Sequence, residues 1–188
     1  MSRQPLFIVL YGLILGAGLG LLIFIVIGVG QNSSDSDSIL AGRNVPNAFG
    51  IGSPAVNFEL EDLEGNIISL KDFRDKAVLI NFWATWCGPC RFEMPAIQSR
   101  FDQYEDDLDV IAINFDEPAR VVQQFIDELG LTFTVLLDPG GTVQREYRVR
   151  AYPTTYFLDK EGVVKFLHIG YMSESQIDQY LNQIGIGE

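Results

Sequence analysis

The sequence has few of the side chains that bind soft metal ions or cross-link a fold. Its 188 residues include two cysteines, Cys87 and Cys90, and a single histidine. Two thiols cannot form a disulfide framework, and a bond across two intervening residues closes too small a loop to stabilise a fold appreciably. One histidine with two cysteines also leaves too few ligands for a closed zinc site. These shortages indicate that the cysteines are present for their reactivity, and no cofactor is expected.

Basic residues are also scarce. Lys and Arg together number 13 against 25 Asp and Glu, which gives a formal net charge of −12. Nucleic-acid binding depends on neutralising phosphates with Lys and Arg, so this balance argues against a nucleic-acid partner. The same surplus of negative charge disfavours peripheral docking on an anionic lipid surface.

Charge is absent altogether from one long segment near the N-terminus. Residues 6–30 contain no charged side chain, and a helix of that length extends roughly 37 Å, enough to cross a hydrocarbon core of ~30 Å. Residues 1–30 are therefore predicted to be an uncleaved transmembrane signal anchor in contact with the lipid bilayer. Arg3 precedes the segment, which places the N-terminus in the cytoplasm and the rest of the chain on the extracytoplasmic side. The small residues Gly28 and Gly30 leave signal-peptide cleavage open as an alternative.

The chain after this segment divides into a polar stretch and a domain. Residues 31–38 read "QNSSDSDS" and have too little apolar content to fold. We expect a flexible linker over residues 31–51 and one folded domain over residues 52–188. Apolar runs bounded by turn residues alternate there with helical periodicity, which is typical of an α/β fold. The predicted order is an N-terminal β-hairpin, a βαβ unit, an extra helix and a final ββα unit, with strands near 56–60, 66–70, 77–84, 109–115, 154–159 and 163–169.

The cysteines lie where a buried strand is predicted to meet a helix. The apolar run 77–84 leads towards Cys87, and a helix should follow over about 88–104. The positive end of that helix would stabilise a thiolate at Cys87, which makes this residue the expected nucleophile. Cys90 lies one turn further along, where it can resolve a mixed disulfide.

The residues between and before the cysteines suit contact with a substrate. Pro89 restricts the freedom of the loop, and Gly88 places no side chain near an approaching partner. Trp86 would supply an apolar surface beside the reactive sulfur. A metal site built on CxxC normally needs a second cysteine pair, which is absent, and haem attachment needs a histidine where Arg91 stands.

Three stretches of the sequence together resemble one known family. They are "FWATWCGPCRFEMP" around the cysteines, "VNFELEDLEGNIISLKDF" before them and "YPTTYFLDKEG" after them. Over about residues 50–185 the sequence is similar to the membrane-anchored, extracytoplasmic thioredoxin-like family of ResA, TlpA and the cytochrome c maturation thioredoxins. The resemblance implies an α/β thioredoxin fold, with a central mixed sheet flanked by helices, an N-terminal β-hairpin and a central helical insert, preceded by one transmembrane helix.

The resemblance also implies roles for residues outside the CxxC motif. Pro153 matches the family's cis-proline opposite the two cysteines, where Tyr152 and Pro153 would offer backbone groups to an extended substrate peptide. Glu93 matches an acidic residue that lies near the cysteines in this family and influences their titration. Soluble thioredoxin has a buried aspartate where this chain has Asn81, which cannot ionise, and this strengthens the case for Glu93. The expected site residues are Cys87, Cys90 and Glu93 as catalytic residues, and Trp86, Gly88, Pro89, Tyr152 and Pro153 as substrate-binding residues.

Two further features lie outside the motifs. Phe115, Asp116 and Glu117 end a predicted strand close to the expected active face, where they could contact a partner. His168 lies on a predicted strand far along the chain from the cysteines, and a packing or surface role is expected for it.

The motif and the resemblance imply an extracytoplasmic thiol–disulfide oxidoreductase that reduces protein disulfides. Its expected substrates are apocytochrome c or a copper-site assembly factor, and an oxidising compartment demands a membrane partner that delivers electrons. A copper-binding chaperone of thioredoxin fold, with Cys87 and Cys90 as ligands, is the alternative, although such chaperones use a wider CxxxC spacing and a third ligand. A peroxidase is a third candidate, and no Pro-x-x-x-Thr-x-x-Cys pattern precedes Cys87 to support it.

Overall fold

The computed structural model describes residues 50–187 of the chain. The predicted anchor over residues 1–30 and nearly all of the predicted linker over residues 31–51 lie outside the described residues. Within residues 50–187, no helix is both long enough and apolar enough to cross a bilayer.

Strands and helices alternate around one seven-stranded mixed sheet. The strands lie side by side in the order β2-β1-β5-β4-β3-β6-β7. Neighbours among β3, β4 and β5 run parallel, and all other neighbouring pairs run antiparallel. The predicted α/β fold with a central mixed sheet is confirmed. In chain order the elements are β1 (Glu59–Asp62), β2 (Ile67–Ser69), a 3₁₀ turn (Leu70–Asp72), β3 (Ala77–Trp83), α1 (Gly88–Gln103), β4 (Leu108–Phe115), α2 (Ala119–Leu129), β5 (Thr134–Asp138), a 3₁₀ turn (Pro139–Gly141), α3 (Thr142–Glu146), β6 (Thr154–Leu158), β7 (Val164–Ile169) and α4 (Glu174–Gln183).

The central strand β3 is buried along its whole length, because both faces of the sheet are covered at this position. Leu79 and Trp83 belong to the core shared with α1, α2 and α4. Ile80 and Phe82 belong to the core on the opposite face, which α3 covers. Successive side chains of a strand alternate between faces, so Asn81 lies on the α1 side of the sheet.

The N-terminal hairpin forms, but its first strand starts later than the sequence predicts. β1 pairs with β2 in antiparallel register, and Asp62 closes the turn by accepting hydrogen bonds from the backbone N–H groups of Glu64 and Asn66. The prediction began the strand at residue 56. Instead, the carbonyl of Val56 accepts a hydrogen bond of 2.6 Å from the hydroxyl of Tyr147, which ties it to the end of α3.

The central insert contributes a strand as well as the predicted extra helix. α2 is that helix, and it ends at Gly130 in the left-handed conformation, with φ of 62°. β5 then pairs with β4 on one side and with β1 on the other. The insert therefore attaches the hairpin to the rest of the sheet, a long-range pairing that the predicted element order left unassigned.

Candidate active site

Cys87 and Cys90 lie beyond the carboxyl end of β3, where α1 begins. Cys87 is the N-cap residue of α1, and its Sγ accepts a hydrogen bond of 3.2 Å from the backbone N–H of Cys90. The two sulfurs form a disulfide, and the Cα atoms are 5.3 Å apart. Pro89 occupies the first helical turn, where a backbone N–H has no partner within the helix, so the proline costs no hydrogen bond there.

The two cysteines differ in exposure. Cys90 is fully buried, whereas Cys87 retains a small exposed area. After reduction, a thiolate at Cys87 would face the free N–H groups of the first turn and the positive end of the helix dipole. This asymmetry favours Cys87 as the sulfur that meets a substrate and Cys90 as the resolving sulfur, and both roles stay predictions.

Glu93 lies one turn beyond Cys90 on nearly the same helix face and points into the core. It is 1% exposed. Its Oε1 accepts a hydrogen bond of 2.9 Å from Nδ2 of Asn81, and its Oε2 accepts one of 2.6 Å from the backbone N–H of Met172. Burial raises the pKa of Glu93 to about 7, against the opposing effect of these two hydrogen bonds. A carboxyl with a pKa near neutrality can both take up and release a proton, as a general acid–base must.

Asn81 connects Glu93 to strand β6. Its Nδ2 also donates a hydrogen bond of 2.9 Å to Oγ1 of Thr155, its register partner across β3 and β6. Both residues are fully buried. Thr155 was not among the predicted site residues, because in the sequence it is marked only as a polar residue beside the apolar part of β6.

The peptide bond between Tyr152 and Pro153 is cis, so the isomer expected from the resemblance is confirmed. Pro153 immediately precedes β6, whose first residue, Thr154, pairs with Phe82 near the end of β3. The sheet register therefore places the proline at the same end of the sheet as the cysteines. The ring of Tyr152 meets the ring of Trp86 edge-on, with centroids 5.6 Å apart. Burial raises the pKa of Tyr152 to about 12.

Large apolar side chains are exposed around the disulfide. Trp86 is 65% exposed, Phe92 74% and Tyr171 48%. Gly88, Pro89, Phe92 and Tyr171 line a cavity of about 500 Å³. Exposed apolar groups that cluster in this way mark interaction surfaces. Phe92 and Tyr171 were not among the predicted site residues. Phe92 could have been suspected from the sequence, because it is an aromatic residue between Arg91 and Glu93 in the first turns of α1.

Glu117, just after β4, is hydrogen-bonded to Thr85 in the segment that precedes the cysteines. Its carboxylate accepts hydrogen bonds from both the backbone N–H and the hydroxyl of Thr85, and from the side-chain amide of Asn114. Phe115, nearby in the chain, packs against Tyr152 with ring centroids 5.8 Å apart. These two residues do lie at the active face, where they contact the chain's own site residues.

Metal-binding side chains are not grouped in the part of the chain that the structure describes. Residues 50–187 contain no set of three or more His, Cys, Asp and Glu side chains placed to hold a metal ion. The single histidine, His168, lies with its Nδ1 3.1 Å from the hydroxyl of Tyr180 on α4.

Known proteins resemble this chain in sequence and in fold. The AhpC/TSA family matches residues 51–167. The chain belongs to this family. Among the relatives of this chain, the thioredoxin-like protein YneN of Bacillus subtilis is 43% identical over 134 residues, which cover 70% of this chain and 78% of YneN. The thiol-disulfide oxidoreductase ResA of Halalkalibacterium halodurans is 40% identical over 134 residues, which cover 71% of this chain and 76% of ResA.

A solved structure extends the likeness to three dimensions. The crystal structure of StoA from Bacillus subtilis matches with a TM-score of 0.58 and 30% sequence identity, and the match covers 69% of this chain and 98% of StoA. The family expected from the sequence is therefore confirmed, and so is the activity class. This AhpC/TSA family member is a thiol–disulfide oxidoreductase.

Proposed function

We propose that this oxidoreductase is a protein-disulfide reductase that works on the extracytoplasmic side of a membrane. The observation that carries the proposal is the Cys87–Cys90 disulfide at the start of α1, with the buried carboxyl of Glu93 one turn beyond it. The Gly-Pro pair between the cysteines, as in thioredoxin, favours the reducing direction.

The proposed reaction moves two electrons from the dithiol to the partner. The thiolate of Cys87 attacks one sulfur of the partner disulfide, and the other partner sulfur leaves as a thiolate that takes up a proton. Cys90 then transfers its proton to Glu93 and attacks Sγ of Cys87. The second partner sulfur leaves Cys87 as a thiolate that takes up a proton, so the disulfide of the chain is restored and the partner is released as a dithiol.

A polypeptide substrate is supported by the surface around the disulfide. Trp86, Phe92 and Tyr171 offer exposed apolar area, and Tyr152 with Pro153 would present backbone groups to an extended peptide. The oxidised CxxCH motif of apocytochrome c, or oxidised cysteines of a copper-site assembly factor, are the substrates that the family resemblance favours.

The proposed location follows from the N-terminal sequence. We propose that residues 1–30 are a single-pass anchor in the cell membrane, that residues 31–51 are a flexible linker, and that residues 52–188 are the catalytic domain. The uncharged stretch 6–30 supports this division. An oxidising compartment drives thiols towards disulfides, so a membrane thiol–disulfide partner would return electrons to the cysteines.

The reduction potential of Cys87 and Cys90 in the full chain tests the direction of electron flow. The measurement equilibrates the chain in thiol–disulfide buffers of known potential. A value close to that of thioredoxin, about −270 mV, is expected for a reductant. A value close to about −120 mV would describe an oxidant that makes disulfides, and it would overturn the proposed direction.

Cysteine variants test the order of the two steps. Cys87→Ser should abolish disulfide exchange, because the attacking sulfur is lost. Cys90→Ser should accumulate a mixed disulfide with the partner, since nothing resolves it. Non-reducing electrophoresis and intact mass measure both outcomes. Unimpaired turnover by either variant would contradict the mechanism.

A further inference from the structure

The two oxygen atoms of the Glu93 carboxyl meet different kinds of donor. Oε2 accepts from the backbone N–H of Met172 at 2.6 Å, and a backbone N–H can only donate. Oε1 faces the side-chain amide of Asn81, whose Nδ2 lies 2.9 Å away. A side-chain amide carries a donor on one arm and an acceptor on the other. A proton that binds Glu93 is therefore best accommodated on Oε1, the oxygen that faces Asn81.

Thr155 holds the same amide from a second side. Nδ2 of Asn81 donates one hydrogen to Glu93 and the other to Oγ1 of Thr155, each over 2.9 Å. A hydroxyl can accept or donate, so Thr155 can serve either orientation of the amide. If the amide turned over, its Oδ1 would take the place of Nδ2 and accept from both the protonated Glu93 and the Thr155 hydroxyl.

In the described domain, no hydrogen bond holds the other arm of the amide, although turning it over places the Nδ2 hydrogens where Oδ1 has no partner. Oδ1 of Asn81 is buried and has no hydrogen-bond partner within residues 50–187. Turning the amide over therefore breaks no bond on that side. The two contacts that are exchanged, to Glu93 and to Thr155, are re-formed with donor and acceptor reversed.

We propose that Asn81 and Thr155 are positioning residues that allow Glu93 to exchange its proton inside the core. The amide donates to Glu93 when the carboxyl is ionised, and turns over to accept from it when the carboxyl is protonated. This inference rests on the proposed function only for the use of the proton, which Glu93 would exchange with Cys90. An aspartate at position 81 could not play this part, because an ionised carboxylate has no hydrogen to donate.

Other titratable groups near Glu93 belong to three elements of the described domain. Cys90 lies on the same helix and Cys87 caps it. His168 on β7 lies beside β6, with its Nδ1 paired to the Tyr180 hydroxyl of α4. Glu174 begins α4 and pairs with Arg100. Burial is the largest cause of the raised pKa of Glu93, and the hydrogen bonds from Met172 and Asn81 oppose it. A control must test His168, because it is the register partner of Thr155 across β6 and β7.

Nuclear magnetic resonance of the full chain tests the proposal through two signals. We expect the side-chain NH₂ resonances of Asn81 and the carboxyl carbon resonance of Glu93 to move with pH at the same midpoint. Thr155→Val leaves an unpaired N–H when Glu93 is ionised, but only an unused lone pair when it is protonated. The variant should therefore raise the pKa of Glu93 by about 0.5 to 1. Thr155→Ser keeps the hydroxyl and should leave the pKa where it is in the wild-type chain.

Several results would overturn the proposal. The first is that the Asn81 resonances do not move as Glu93 titrates. This result is measured on the wild-type chain, so it holds even if Thr155→Val fails to fold. Another is a Thr155→Val chain with an unchanged midpoint for Glu93. In a His168→Gln chain, Glu93 should titrate with the same midpoint as in the wild type. A shift of that midpoint as large as the one in Thr155→Val would assign the effect to the histidine. Disulfide reduction by the same wild-type sample tests the proposed function separately. If the chain reduces no disulfide at any pH, the proposed function is contradicted, but the evidence from the resonances for the role of Asn81 still stands.

Discussion

Glu93 carries its carboxyl in the core, where the ionised form is poorly solvated. Its pKa is about 7 in the folded chain, against an ordinary value of 4.5. Folding therefore favours the protonated form of this residue. The stability that results is fully present below a pH of about 4.5 and is lost as the pH rises through about 7.

Replacing Glu93 by Gln should remove this pH dependence. We expect the free energy of unfolding of the wild-type chain to fall, relative to that of Glu93→Gln, by about 3 kcal/mol between about pH 4 and about pH 8. Glutamine is neutral throughout, so any constant cost of the substitution cancels in the comparison. Urea unfolding of both chains at a series of pH values measures the difference. Parallel stability curves would contradict a raised pKa at Glu93.

Substitution of the exposed aromatic residues beside the disulfide should raise the KM for large substrates only. Phe92→Ser and Tyr171→Ser should each raise the KM for a protein disulfide by about tenfold, since burial of one apolar side chain contributes about 1.5 kcal/mol. The rate with a small aromatic disulfide reagent should change little. Ile67→Ser, at the opposite edge of the sheet and with a side chain 61% exposed, is the matched control. Equal losses with both substrates would mean that the aromatic residues affect the cysteines themselves.

The turn between β5 and α3 supports the active site at the scale of elements. Gly140 and Gly141 both adopt left-handed backbone angles there, with φ of 70° and 66°. A methyl group on Gly141 would lie 2.5 Å from Cε2 of Phe115, whereas one on Gly140 would meet nothing within 4 Å. Phe115 in turn packs on Tyr152, so a distortion at this turn reaches the residue before the cis-proline.

The two glycines give a matched pair of substitutions. Gly140→Ala should destabilise the chain by about 1 kcal/mol, because only the backbone angle is unfavourable. Gly141→Ala should cost about 3 kcal/mol, because a steric overlap with Phe115 is added. Denaturant unfolding measures both values. Equal destabilisation would show that Phe115 moves aside without cost.

Sequence reasoning succeeded where the information is local and failed where it depends on strand register. One contiguous motif contains Cys87, Pro89 and Cys90. The positive end of the helix dipole of α1 explains why a reactive thiol is placed there. Thr155 reaches Asn81 across a separation of 74 residues, and only the pairing of β3 with β6 brings them together. The pairing of β5 with β1 is equally remote in the sequence, so hydrophobic patterns could indicate a strand but not its neighbours.

At the scale of the whole molecule, the proposed N-terminal anchor predicts that the chain stays with a membrane. The full chain should stay with membranes after an alkaline wash, and deletion of residues 1–30 should release it to the supernatant, because the uncharged stretch would supply the apolar contact with lipid. Deletion of residues 31–38 is the control, since it shortens the polar part and leaves the anchor intact. Immunoblots of both fractions measure the outcome. A mature N-terminus just after Gly30 would instead indicate a cleaved signal peptide.

The first described residues enter the domain at the turn between β6 and β7. Three backbone hydrogen bonds secure them, from Gly52 to Val164, from Val164 to Ser53 and from Ala55 to Gly162, over 2.7 to 2.9 Å. β6 begins at the cysteine end of the sheet, so the turn that follows it lies at the far end. In mechanical terms, a pull transmitted along the chain into residue 50 would be borne by these three bonds at the far end. The junction of strand and helix that holds the cysteines lies at the other end of the sheet, away from this point of attachment.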